Sequence, residues 1–299
     1  MTVSEASPVA VAQRRARDVA RQSGVEVREL TDPADFIAAE RLLAQVWSTG
    51  LGHTPLPREL LCALSFSGAY TAGAYHGERL VGVAAGFLAD DRPHGGAVHL
   101  HSHITGVVPI VRSRQVGFAL KLHQGAWALG RGIELISWTF DPLVSRNAHF
   151  NLHKLRAGAR RYLVDFYGEM SDQVNSGWGS DRLLAEWRPA EIRTPQHLDI
   201  GNGVPVAVVL DRGAHEEPRP RWSDDASLIA CRLPQDIEHL RRIDAELAVR
   251  WRYAVRQTLQ RALAENFQII DYDRSHGYLL RKLLAGTGGA APEPALSDN

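Results

Sequence analysis

Three histidines alternate along one short segment of the sequence and could act as bases. His99, His101 and His103 occupy every second position of residues 97–107, a segment with the composition of a strand, so their side chains share one face. Imidazole titrates near neutral pH and can take a proton as a general base. His101 and His103 are therefore the candidate catalytic residues, with His103 nearer to the expected reaction centre.

Two other interpretations of these histidines are open. A histidine on a strand face is often only a hydrogen-bonded structural residue. The His-x-His spacing can also bind zinc, but no third ligand follows at a clear spacing, so we expect no metal. Gly106, near the end of the same segment, is a candidate β-bulge.

The segment that follows the histidines has the features of a phosphate site. Residues 107–119 (VVPIVRSRQVGFA) end a strand and open a helix, whose N-terminal N–H groups and dipole attract phosphate. Small residues at Gly117 and Ala119 would let a pyrophosphate approach the backbone, and Arg112 and Arg114 add positive charge. The alternative interpretation is a helix start at which Gly117 merely packs against a strand.

Apolar periodicity predicts the elements that hold these residues. Helices come first, a meander of strands follows, and strands then alternate with helices, which is typical of a mixed-sheet α/β or α+β enzyme. The predicted helices include residues 10–23, 117–129, 147–155 and 234–265; the predicted strands include 69–76, 79–88, 97–107, 133–140, 161–167, 181–187, 267–271 and 278–284.

Composition excludes several classes of protein. The 299 residues carry 34 Lys and Arg against 34 Asp and Glu, so no global field attracts nucleic acid or an acidic membrane. The two cysteines lie far apart, the N-terminal segment lacks the apolar core of a signal peptide, and no apolar run is long enough to span a bilayer. We expect a cytoplasmic protein with no nucleic-acid or membrane partner.

The phosphate turn and its flanks resemble the GNAT superfamily of acyl-CoA-dependent N-acyltransferases. Arg114-x-x-Gly117-x-Ala119 fits the Q/R-x-x-G-x-G/A signature of that superfamily. Further segments, within residues 25–189 and in the C-terminal part, resemble a bacterial, poorly characterised group of predicted acetyltransferases. These segments are HSH (101–103), WTFDP (138–142), RNAHFNLHKL (146–155), RRY (160–162), FYG (166–168), SDRLLAEW (180–187), LPQD (233–236) and AVRWR (248–252).

The resemblance implies a fold and a domain organisation. We expect a GNAT-like α/β (α+β) fold, with a mixed, mostly antiparallel sheet flanked by helices and a smaller C-terminal β-α-β-β extension. Residues 1–24 form an N-terminal helix, 25–190 the acyl-CoA-binding core, 191–284 the extension and 285–299 a disordered tail. The extension is a lid over the acceptor pocket or a dimer surface, so a homodimer is left open.

The resemblance also implies an activity. The expected reaction transfers an acyl group, acetyl or alternatively succinyl, from acyl-CoA to the amine of a small molecule such as an amino acid, by direct attack and without a metal. Asp141, at the carboxyl end of a buried strand, is the candidate for the substrate amine. The candidate cofactor-binding residues are Val107, Val108, Arg112, Arg114, Gln115, Val116, Gly117, Phe118 and Ala119, with Asn147 and Asn151 for the pantetheine arm.

One departure from the family pattern leaves the general acid unassigned. GNAT enzymes often carry a tyrosine that protonates the leaving thiolate, and Leu152 or Lys154 stands at that position here. Tyr162 and Tyr167 are donors by location only. The missing tyrosine keeps a non-catalytic acyl-CoA-binding or sensor protein as the alternative, beside a histidine-based metal hydrolase and a protein acetyltransferase.

Overall fold

The structure is a computed structural model that describes residues 7–47, 54–94, 96–168, 179–191 and 205–283. Seven α-helices and twelve strands lie in these ranges. The strands form mixed, mostly antiparallel sheet structure flanked by helices, which confirms the predicted α+β class. The predicted tail, 285–299, lies outside the described residues.

The chain divides into two compact units. The first comprises Met1–Trp138, Ser171–Ser176 and Glu186–Thr194, and the second comprises Thr139–Met170, Gly177–Ala185 and Pro195–Asn299. The division falls inside a strand, residues 136–140, whereas the sequence suggested a boundary near residue 190.

Four helices belong to the first unit: α1 (Pro8–Gln22), α2 (Pro33–Trp47), α3 (Arg58–Phe66) and α4 (Val116–Leu129). Helix α1 begins where expected because Ser7 accepts a hydrogen bond from the Ala10 amide and proline follows at the first helical position. Helix α4 is buried along most of its length, since nearly all of its side chains are apolar. It packs against α1 and against the sheet.

The sheet of the first unit has the order β1-β2-β3-β4-β5. Neighbouring strands are antiparallel except β4 and β5, which are parallel and pair through Leu100–Ile136 and His101–Ser137. The bounds are β1 (Glu26–Glu29), β2 (Tyr70–His76), β3 (Arg79–Asp90), β4 (Val98–Val107) and β5 (Ile136–Phe140).

A β-bulge interrupts β4 at Ser102 and His103. The pairing of Phe87 with His101 and of Ala85 with Ile104 leaves these two residues opposite Gly86 alone. A Cβ on Gly86 would lie 2.7 Å from the His101 carbonyl oxygen, so the bulge requires glycine there. The sequence suggested Gly106 instead, but Gly106 pairs regularly with Val83.

The second unit has its own sheet order, β6-β11-β12-β10-β8-β9, antiparallel except for β10 and β8. It contains the predicted C-terminal β-α-β-β succession. The bounds are α5 (Ser145–Ala148), a π-helix (His149–Lys154), β6 (Gly158–Leu163), β8 (Ala207–Arg212), β9 (Pro218–Pro220), β10 (Leu228–Cys231), α6 (Ile237–Ile243), α7 (Ala245–Ala264), β11 (Phe267–Asp273) and β12 (Gly277–Lys282); β7 (Arg182–Trp187) falls in both units.

Two helix predictions were wrong in their extent. The predicted helix 234–265 is two helices, because Asp244 leaves helical geometry and its carboxylate accepts the Leu247 amide as the cap of α7. The predicted helix 147–155 begins as α5 and continues as the π-helix. The strand predicted at 161–167 ends at residue 163, so Tyr167 lies in a turn.

Candidate functional site

The predicted phosphate turn is a tight connection into α4. Pro109–Arg114 forms a 3-10 helix, and Gln115 then adopts a left-handed conformation (φ 63°, ψ 17°) immediately before the helix. The Gln115 carbonyl accepts the amides of Phe118 and Ala119 at 2.9 and 3.0 Å. No acidic residue lies in the first turn. No carboxylate of this turn therefore neutralises the positive end of the 14-residue, largely buried helix.

Gly117 is not demanded by the packing of the protein. A Cβ built on it would meet only the Val107 side chain, at an ordinary 3.8 Å, and its φ is not left-handed. Gly125 of the same helix differs, because a Cβ there would lie 2.7 Å from the Trp187 ring. The interpretation of Gly117 as a packing residue thus has no support, and open space adjoins the turn.

The side chains around this turn differ in their exposure to solvent and in charge. Arg114 and Gln115 are exposed, while Val116, Phe118 and Ala119 are buried. The backbone of Arg112 belongs to the 3-10 helix, and its side chain lies outside the described part of the structure. Arg15 of α1, which sequence reasoning missed, lies 6.0 Å from the Phe118 ring and adds a cation beside α4.

Val107 and Val108 end β4. Val107 pairs with Gly82. The amide of Val108 donates to the Val81 carbonyl at 3.0 Å, and its carbonyl accepts the Val111 amide at 3.2 Å. The backbone of Val108 is therefore committed within the protein, and we do not retain it as a hydrogen-bonding residue for the pantetheine arm.

The alternating histidines are on one face, as predicted. The ring centroids of His101 and His103 are 6.5 Å apart, and Phe87 lies 5.3 and 5.7 Å from them. The Ser137 hydroxyl hydrogen-bonds both His99, at 2.9 Å, and His101, at 3.1 Å. His101 is thereby held by β5, while His103 lies beyond the bulge and is exposed.

The histidines of this face differ in their proton affinity. Burial lowers the pKa of His101 to about 4, helped by the charges of the adjacent histidines and Lys121. Neighbouring groups still cover part of the exposed His103 side chain, and this partial desolvation lowers its pKa. His101 is neutral at pH 7 and would hold a proton only weakly, which favours His103 as the base.

A buried lysine lies directly behind the bulge and was missed by sequence reasoning. Lys121 of α4 is only 5% exposed and donates to the Ser102 hydroxyl at 2.7 Å and to Gln124 Oε1 at 3.2 Å. Its ammonium lies 3.8 Å from the centre of the Trp138 ring. Burial lowers the pKa of Lys121 to about 7. The available signal was a single lysine within the apolar helix segment VGFALKLHQGAWAL.

Asp141, the predicted residue for the substrate amine, is buried in ion pairs of the second unit. Arg241 donates to it at 2.7 Å, and Arg252 makes two bonds of 2.8 Å, so both carboxylate oxygens are engaged. Burial alone would raise the pKa of Asp141, but the two arginines hold it below its usual value. This arrangement is structural, and we do not retain the predicted role.

The remaining predicted residues also belong to the second unit. Asn147 is half-buried, and Asn151 is buried in the π-helix, where its carbonyl accepts the Ala157 amide. Tyr162 donates to Asp181 at 2.7 Å, and burial together with that carboxylate raises its pKa. A raised pKa weakens its rationale as general acid. Tyr167 shares a 3.1 Å hydrogen bond with Thr139 and remains unassigned.

The described residues show neither a metal-binding cluster nor a membrane-spanning helix. They contain no group of three or more His, Cys, Asp or Glu side chains that could hold a metal ion. Within the same ranges, no helix has both the length and the apolar character needed to cross a membrane. Cys62 and Cys231 are free thiols.

Comparisons with known proteins gave structural matches only. No family model matches the chain, and no curated protein matches its sequence. The structural neighbours are GNAT-family acetyltransferases that cover about 55% of the chain at low identity.

Three neighbours illustrate the likeness. The GNAT acetyltransferase of Streptococcus pneumoniae has 14% identity and a TM-score of 0.44, over 55% of this chain and 99% of its own. yncA from Salmonella typhimurium, whose structure contains its cofactor acetyl-CoA, has 16% identity and a TM-score of 0.42, over 58% and 98%. FeeM, an N-acyl amino acid synthase from uncultured soil microbes, has 15% identity and a TM-score of 0.42, over 56% and 92%.

Proposed function

We propose that this chain transfers an acyl group from acyl-CoA to the primary amine of a small molecule such as an amino acid. The observation that carries the proposal is the start of α4, where Gly117 leaves space that no neighbouring side chain uses. The N-terminal amides of α4, a first turn with no acidic residue and a glycine with room for a Cβ are the features that would bind a pyrophosphate, and we call them the cradle.

The cradle suits the phosphates of coenzyme A. The amides at the first positions of α4, Val116 and Gly117, are those that α-helical geometry leaves without an intrahelical acceptor. Arg114 is exposed beside them and can reach a phosphate, and Arg15 offers a second cation near Phe118. Asn147 and Asn151 stay candidates for the pantetheine arm.

The chemistry requires two proton transfers and no redox step. The amine lone pair forms a C–N bond to the thioester carbonyl carbon, and the C–S bond of the tetrahedral intermediate then breaks. The amine proton passes to a base, for which we propose the His103 imidazole, and the CoA thiolate leaves as the thiol after protonation, with the general acid unassigned.

Lys121 serves in this proposal as a positioning residue for His103. Its hydrogen bond to Ser102 ties α4, the helix that would hold the phosphates, to the bulge from which His103 projects. Cofactor and base are thereby fixed to one rigid junction, which reduces the entropic cost of bringing reactants together.

Product analysis tests the proposed activity. Purified protein is incubated with acetyl-CoA or succinyl-CoA and pooled amino acids and amines, and products are identified by mass spectrometry. We expect an N-acyl product and stoichiometric free CoA. Acyl-CoA binding without turnover across the panel would contradict catalysis and support the alternative of an acyl-CoA-binding or sensor protein.

A histidine variant tests the assignment of the base. His103→Ala should lower kcat by about 10²-fold or more at neutral pH, because general-base catalysis typically contributes that much, and should leave acyl-CoA affinity unchanged. His76→Ala, at the exposed end of β2, is the matched control. An unchanged pH–rate profile in His103→Ala would exclude it as the base.

A further inference from the structure

A cavity of about 480 Å³ lies wholly within the second unit, and none of its lining residues has been assigned a role above. Its walls come from the start of α5, the end of β8, the segment after β10 and the turn between β11 and β12. Four arginines line it: Arg146, Arg212, Arg232 and Arg274. Its volume is in the range of small-molecule sites.

Only two of the four arginines have a carboxylate partner. Arg146 makes two charge-assisted hydrogen bonds to Glu238, and Arg232 Nη1 donates to Asp211 at 2.9 Å. Among the described residues, no carboxylate lies within ion-pair distance of Arg212 or Arg274. The guanidinium groups of Arg212 and Arg274 are therefore not neutralised by an ion pair within the described residues, although the Asp273 carboxylate, which accepts from the lining residue Ser275 at 2.8 Å, lies nearby.

The walls of the cavity are held in place by the fold. A Cβ on Gly277 would lie 2.1 Å from the Cys231 carbonyl oxygen, so this glycine lets the β11–β12 turn, with Arg274, pack against the segment that carries Arg232. Tyr272 is buried and hydrogen-bonds Ser145. Together with Leu233, its ring gives the cavity an apolar wall.

From these observations we infer that the cavity binds a small organic dianion, with its acidic groups on Arg212 and Arg274 and its carbon skeleton against Tyr272 and Leu233. Two carboxylates or one phosphate ester satisfy this chemistry equally, because guanidinium groups bind either in a bidentate manner. The site is independent of the proposed acyl transfer.

Isothermal titration calorimetry of the full chain tests the site, with succinate and glycerol 3-phosphate as organic dianions and inorganic phosphate as the headgroup alone. We expect saturable binding of at least one organic dianion, weakened by salt. The double variant Arg212→Gln, Arg274→Gln should lose about tenfold or more in affinity. Arg281→Gln, an exposed arginine on β12 outside the cavity, is the matched control.

The ligands and variants compared in these titrations identify the class of ligand and distinguish this cavity from the proposed phosphate site of α4. Preference for succinate or for glycerol 3-phosphate decides between the two sources of charge. Gly117→Ala should weaken CoA and leave dianion binding intact, while the double variant should do the reverse. The inference would be overturned if the double variant bound as tightly as Arg281→Gln, or if neither organic dianion bound at millimolar concentration. Thermal unfolding of the ligand-free variants is the folding control, and an unchanged midpoint excludes misfolding.

Discussion

The two units handle buried positive charge in opposite ways. In the second unit, Arg241 and Arg252 share the Asp141 carboxylate, and the group is satisfied within the protein. In the first unit, the contacts of Lys121 among the described residues are with a hydroxyl, an amide oxygen and an indole ring, none of them a carboxylate, and burial lowers its pKa to about 7. A charge network that is paired within the protein supports the fold, whereas a titratable cation with neutral partners beside a candidate base points to function.

We expect the largest effect from Asp141→Asn, which removes the carboxylate of the charge network in the second unit and should lower the stability of the protein. Removing the carboxylate takes away the buried counter-charge that Arg241 and Arg252 share, so we expect a loss of about 3–5 kcal/mol in the free energy of unfolding. Denaturant titration measures it. Asp224→Asn, at a carboxylate that is 83% exposed, is the control and should change stability by about 0.5 kcal/mol or less. Equal effects would show that the Asp141 pairs add nothing to stability.

The pH dependence of stability should separate the two groups. The folded pKa of Lys121, about 7, lies below its usual 10.5, so the unfolded chain binds more protons between these values and stability rises with pH through that window. Asp141, with a lowered pKa, contributes stability that is lost only as pH falls below about 4. Urea titrations from pH 6 to 10 should show the rise in the wild type.

Lys121→Met sharpens the same test, because methionine fills a similar volume without a charge. The rise in stability above pH 7 should disappear in this variant, while Lys282→Met, at the exposed end of β12, should retain it. A rise that persists unchanged in Lys121→Met would mean that another group titrates there.

The smallest expected effect is on His101. Because the Lys121 charge contributes to lowering the pKa of His101, Lys121→Met should raise that pKa from about 4 toward 6.5 by a fraction of a unit. NMR titration of the imidazole resonances measures it. A downward shift, or none, would remove the electrostatic link between the helix and the histidine face.

The sequence predicted the strand and the helix of the candidate site better than the tertiary contacts around them. Alternation placed the histidines, and the change of period at Pro109 placed α4, because both signals are local. The bulge was placed at the wrong residue because the sequence does not distinguish Gly86 from Gly106. Tertiary contacts do: a Cβ added at Gly86 would clash with the His101 carbonyl, and one added at Gly106 with the Trp47 ring.

Long-range partners were beyond the reach of local patterns. Asp141 looked like a ligand residue at a strand end, but its arginines follow 100 and 111 residues later. Lys121 drew no prediction, since nothing local shows that its helix is buried on nearly all sides. The arginines of the cavity converge only once β8, β10 and β11 are folded together.

The most direct test of the cradle is the affinity of acetyl-CoA for Gly117→Ala, measured by calorimetry beside thermal unfolding. The added methyl fits the free protein, and alanine is a better helix former, so stability should rise by up to about 0.5–1 kcal/mol. Affinity should nevertheless fall by about tenfold or more, because the methyl occupies the space proposed for the pyrophosphate. Gly130→Ala, at the other end of α4, should leave affinity unchanged; wild-type affinity in Gly117→Ala would contradict the placement of the phosphates.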